Sequence, residues 1–86
     1  MFATAVTLAA IIATIDTDTL ANSPCVDITQ AQYAAVLAAA AADLLTIVSG
    51  GVDVAVRGEW YHVHMMTLGR SRQRGGDVVR YILTPM

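Results

Sequence analysis

Between Thr29 and Gly51 the chain reads TQAQYAAVLAAAAADLLTIVSGG, a helix with both of its ends written into the sequence. Thr29, followed three residues on by Gln32, has the spacing of a capping box, in which each residue satisfies an amide that the helix leaves unpaired. Ile28 before the cap and Tyr33 after it have the spacing of a hydrophobic staple. Ser49-Gly50-Gly51 supplies Gly50, which can take the left-handed conformation that closes a helix. Alanine is the strongest helix former and neither Gly nor Pro interrupts the run, so the pattern predicts a helix over about 30–48. Tyr33, Leu37, Ala40, Leu44 and Ile47 recur at spacings of four and three, an apolar seam for the domain's own core. The other side is small, with Ala35, Ala39 and Ala42, and Asp43 is the helix's one charge. Such a side carries no chemistry but lets another backbone approach closely. These three alanines are therefore expected to pack against a partner.

The chain has 86 residues, enough for one small domain with a modest core. Hydrophobic residues make up 56% of it and charged residues only 14%, against a usual charged share of about 25%. A small domain has much surface to cover, and this one is short of polar residues to cover it. Alanine, which tolerates water, accounts for part of the excess; the rest is expected to be buried against other subunits. The net charge of -2 gives no whole-domain attraction to nucleic acid or anionic membrane. Asp16, Asp18, Asp27 and Asp43 lie in the N-terminal half, whereas Arg57, Arg70, Arg72, Arg74 and Arg80 are the only basic residues and all lie later. That polarity suits head-to-tail association. Cys25 is alone and has no basic neighbour in sequence, so it reads as an inert thiol.

The apolar opening, Met1 to Ile15, is too short to span a bilayer and lacks the basic start of a secretory signal. Neither a transmembrane segment nor secretion is expected, which leaves a virion or cytoplasmic location. Leu8, Ile11, Ile12 and Ile15 have helical spacing, giving a first helix at about 3–15. Asp16 to Asp27 has no period and reads as a loop. After Gly50 alanine nearly vanishes and β-branched and aromatic residues take over, predicting strands at about 52–57, 60–69 and 77–84. Gly58-Glu59 is the expected first turn. A two-residue turn at Gly75-Gly76 would set Arg74 opposite Asp77, Arg72 opposite Val79, Arg70 opposite Tyr81 and Leu68 opposite Leu83. The expected fold is α+β, one domain over 1–86: a helical half, 1–51, then a small antiparallel sheet of about three strands in 52–86.

Three groupings could carry chemistry. Alternate residues of a strand share a face, so Arg70, Arg72 and Arg74 would line one side of a hairpin arm, with Tyr81 close enough to stack on Arg70. Such an arm suits a carboxylate patch on a protein, or phosphates, or merely keeps the hairpin soluble. His62 and His64 point to one face, as two metal ligands would, but a third ligand has no spacing to support it; Glu59 and Asp77 are candidates by type alone. Trp60 and Met66 on the same face favour packing over metal. Glu59 with His62 could be an acid–base pair, yet no nucleophile, phosphate loop or oxyanion device accompanies it. No enzyme activity and no cofactor are expected.

The stretches Ala3-Thr4, Leu8-Ala9-Ala10-Ile11, Ile28-Thr29-Gln30-Ala31-Gln32, Ala41-Ala42-Asp43-Leu44-Leu45 and Ser49-Gly50-Gly51 follow one another as short helix, polar loop and longer capped helix. Over about residues 2–51 this resembles the small head-tail connector (adaptor) proteins of tailed bacteriophages. The resemblance implies a ring-forming subunit between portal and tail, with helices packed on neighbours, extended C-terminal arms and no catalytic residue. That family usually continues with helix, whereas Val52 to Pro85 reads as strands. The leading expectation is a structural subunit that assembles with itself or with neighbours in a larger particle. The alternative is a small regulatory or inhibitory module that uses Arg70, Arg72 and Arg74 to bind nucleic acid or an acidic protein surface.

Overall fold

The fold comes from a computed structural model that describes residues 3–48, 51–71 and 76–86. Its elements run α1 (Ala3–Ile12), α2 (Thr17–Asn22), β1 (Val26–Ile28), α3 (Gln30–Ala42), β2 (Gly51–Val56), β3 (Glu59–Ser71) and β4 (Gly76–Pro85). The class is α+β, as the sequence predicts, but the antiparallel sheet has four strands, in the order β1-β4-β3-β2. The additions fall in the stretch 16–27 expected to be loop. Asp16 caps α2 by accepting from the Asp18 N–H at 3.2 Å. Val26–Ile28 then pairs with Tyr81 to Leu83 of β4, and Ile28 is buried in the core.

The start of α3 obeys its sequence signal. The Gln32 N–H donates to Thr29 Oγ1 at 3.0 Å and the Thr29 N–H donates to Gln32 Oε1 at 2.9 Å, closing the capping box. Its end does not. The stop expected at Gly50 lies outside the described residues, and α3 finishes at Ala42. There the Leu45 N–H bonds the Ala40 carbonyl at 2.9 Å and the Leu44 N–H the Ala41 carbonyl at 3.2 Å. This is the Schellman pattern, and its left-handed position is held by Leu44, at φ 59, where glycine is usual. Closing the helix here turns Leu45 in against the core and leaves Leu44 91% exposed. The seam expected to run on through Leu44 and Ile47 is therefore shorter: Tyr33, Val36 and Ala40 are buried and Leu37 is half-buried.

Asp43, just past that end, reaches the start of α1. Its carboxylate accepts from the Ala3 N–H at 3.2 Å, from the Thr4 N–H at 2.7 Å and from the Thr4 hydroxyl at 2.7 Å. A carboxylate at a helix N-terminus also complements the helix dipole. The end of one helix thus caps the start of the other. The hydrogen bond from the Thr4 hydroxyl, then that from its amide, hold the Asp43 carboxyl below its ordinary pKa. Thr4, Leu8 and Ile11 form the buried stripe of α1.

The two helices cover one face of the sheet. Val52, Val54 and Val56 alternate inward from β2, joined by Tyr61 and Val63 of β3 and Leu83 of β4. The β2–β3 turn is Arg57-Gly58 rather than Gly58-Glu59, with φ of 52 and 84. Positive φ at both positions is the primed turn that suits twisted strands, so β2 and β3 begin one residue earlier than expected. No helix among the described residues is long and apolar enough to cross a membrane.

Candidate interaction surface

Strand alternation puts Asp53 and Ala55 of β2, Trp60, His62, His64 and Met66 of β3, and Arg80, Ile82 and Thr84 of β4 on the sheet face turned away from the helices. Trp60 is 55% exposed there and Met66 is 41% exposed. Ile82 is buried even on this side, between β1 and β3 in the middle of the sheet. The face is laced by polar pairs. Arg80 donates through Nε and Nη2 to Asp27 Oδ1 at 2.9 and 2.7 Å, which ties β4 to β1. The Asp53 carboxylate, which can only accept, receives a hydrogen bond from His62 Nδ1–H across the β2–β3 ladder.

His62 and His64 share that face as the sequence predicts, with stacked rings 4.6 Å apart. His64 Nε2 lies 3.4 Å from the Thr84 hydroxyl. Burial, and then the neighbouring His62, push the His64 pKa down, which favours the neutral ring. The proposed third ligands are not brought in. Glu59 accepts from the Tyr61 hydroxyl at 2.9 Å, and the Asp77 backbone pairs with Arg70, far along the hairpin. Among the described residues no group of three His, Cys, Asp or Glu side chains is placed to hold a metal ion. Asp53 is the residue that sequence reasoning missed. It stands four residues before the Arg57-Gly58 turn and His62 stands four after it, so a correctly placed turn would have paired them.

The arm exists, but with another register. β3 and β4 pair from Tyr61 with Pro85 out to Ser71 with Gly76, with a bulge at Leu68 between Thr67 and Gly69. Arg70 therefore faces Asp77, and Tyr81 faces Met65 instead of Arg70. Gly76 already pairs with Ser71, so the expected two-residue turn at Gly75-Gly76 does not close this hairpin; Gly75 itself lies outside the described residues. Arg72 and Arg74 lie outside the described residues, so the expected arginine row falls largely there. Tyr81 belongs to the helix side of the sheet, half-buried, with its ring 4.8 Å from that of Tyr33. Of the three alanines proposed for packing, Ala35 and Ala42 are exposed and Ala39 is half-buried; Ala35 borders a shallow depression with Val6 and Ala10 of α1. Cys25 is free and half-buried.

β2 flanks β3 only as far as His64, and β1 flanks β4 only over Tyr81 to Leu83. Beyond those limits no further strand pairs with the hairpin among the described residues. Thirteen residues of β3 at about 3.4 Å each match the 43 Å long axis of the molecule. The arm's first side chains, Met65 and Met66, are each 41% exposed.

No family model matches this chain, no curated protein matches it in sequence, and no solved structure matches it in fold.

Proposed function

We propose that this protein is a non-catalytic assembly subunit that packs against copies of itself or neighbouring subunits of a larger particle. The observation that carries this reading is the hairpin arm. Two strands leave the sheet with no third strand paired to them among the described residues, and they carry exposed methionines at their root. A lone two-stranded hairpin is marginal in water, so an arm of this length is best explained by a surface that receives it. The uncovered sheet face with Trp60, and the low charged fraction of 14%, support the same reading. The resemblance of residues 2–51 to phage head-tail connectors favours a virion component that forms rings, although α3 ends at Ala42, short of the Ser49-Gly50 stop on which part of that resemblance rests. Sedimentation equilibrium over a wide concentration range tests the proposal. Reversible self-association is expected. A single monomeric species up to the highest concentration reached would contradict it.

A further inference from the structure

The Arg57-Gly58 turn makes Val56 and Glu59 the closing hydrogen-bonded pair of β2 and β3, so Val54 and Val52 also bond β3 while the residues between them do not. Asp53 and Ala55 therefore turn their N–H and C=O groups to the outer edge of β2. Gly51 turns the same way, and its N–H and C=O are taken there by Val48 at 2.8 and 3.0 Å. Asp53 and Ala55 have no such backbone partner among the described residues. On β3 the residues that bond β2 are Glu59, Tyr61 and Val63. Met65 and Thr67 continue that series past the end of β2, so they too present backbone groups without a partner among the described residues. One chain thus carries two short free edges, each with two outward residues at the same spacing.

We propose that these edges join between copies: the arm of one molecule adds Met65 to Thr67 as an antiparallel strand along β2 of the next. This deepens the assembly reading and rests on it. Pairing Ala55 with Met65 and Asp53 with Thr67 uses every outward group, and the side chains fit that register. Met65 of the neighbour falls beside Ala55, whose other cross-strand partner is the exposed Trp60. Met66 of the neighbour falls opposite Val54, at a groove of about 230 Å³ bordered by Thr4, Ala5 and Leu45. An exposed methionine of the arm thus meets an apolar slot of the edge.

The joining strand must come from a second copy, because β3 of the same copy already occupies the other side of β2. A symmetric β2–β2 contact is disfavoured. It would set two α1 helices over strands about 4.8 Å apart, whereas packed helices need about 8–10 Å. The arm joint sets β3 of the next copy, rather than a second β2, beside β2, and α1 packs chiefly on α3 and β2. The contact is head-to-tail, so it propagates into a ring or a filament.

A complementation experiment tests this. Ala55→Pro removes an outward N–H that no backbone bond among the described residues uses, and Met66→Glu puts a charge where the slot is apolar. Each variant alone is expected to associate at least about tenfold more weakly than wild type. Mixed, they are expected to form a one-to-one dimer, because one intact edge and one intact arm remain. Circular dichroism checks folding. Ala55→Lys, which leaves the backbone free, replaces Ala55→Pro if proline disturbs the hairpin. If wild type assembles and the variants assemble equally well, or their mixture stays monomeric, this joint is wrong while the assembly reading survives. If wild type is monomeric throughout, both fail.

Discussion

At its base the β3–β4 hairpin has β2 on one side, β1 on the other and two helices over one face; past Met65 and Arg80 the same two strands run on with no further strand paired to them among the described residues. Val63 and Met65 are successive inward positions of one strand, yet Val63 is fully buried and Met65 is 41% exposed. Both are apolar. What separates them is the surrounding elements, so one continuous ladder holds a core at one end and an unfinished surface at the other.

Leu83 at the base is fully buried, so Leu83→Ala should cost about 2–5 kcal/mol in urea unfolding. Met66→Ala in the arm should cost under about 0.5 kcal/mol when measured at dilutions that favour monomer. Equal losses would erase the distinction between base and arm. The helical cover of the base depends on its helix ends. Leu44→Gly relieves a left-handed leucine that is almost fully exposed, and should stabilise the fold by about 1 kcal/mol. A loss of stability there would mean that the Leu44 side chain does something at this turn beyond adopting its backbone angle.

Two smaller effects depend on pH. The Asp43 carboxyl is held below its ordinary pKa chiefly by the Thr4 hydroxyl. Its contribution is therefore present above the unfolded carboxylate value and is lost as pH falls through the lower folded value, in the acid range below about pH 4. Thr4→Val should weaken this acid dependence and lower Tm, whereas Thr4→Ser should largely restore both. His64, where base meets arm, is pushed down by burial and by His62. The unfolded chain binds its proton first, so stability should rise with pH through the region near 6.5 and be lost as pH falls through the depressed folded value. His64→Gln should flatten that rise. An unaltered profile would remove His64 as its source.

The sequence was legible where the signal is local. The Thr29–Gln32 capping box, the inward alternation of β2 and the common face of His62 and His64 need only neighbours in the chain. It misled where distant contacts decide. Nothing near Asp43 in sequence announces that its carboxylate caps Ala3 and Thr4, and that tie accompanies the end of α3 well before the glycines. β1 is three residues long and gains its hydrogen bonds from β4, so its own pattern is too short to read. Register is where expectation and structure part most. A hairpin turn at Gly75-Gly76 shifts every pair and puts Tyr81 opposite Arg70, whereas the observed register sets it opposite Met65 and its ring against Tyr33. The Asp53–His62 pair needs the other turn at Arg57-Gly58, one residue earlier than the sequence suggests.

If another copy completes the arm, amide hydrogen exchange along β2 and β3 will depend on protein concentration. Amides that face a strand within the chain, such as Val54 and Val63, should be protected at every concentration. Those of Asp53, Ala55, Met65 and Thr67 should exchange quickly in dilute solution and slow together as concentration rises. Exchange at these four positions that is the same at all concentrations would contradict the account.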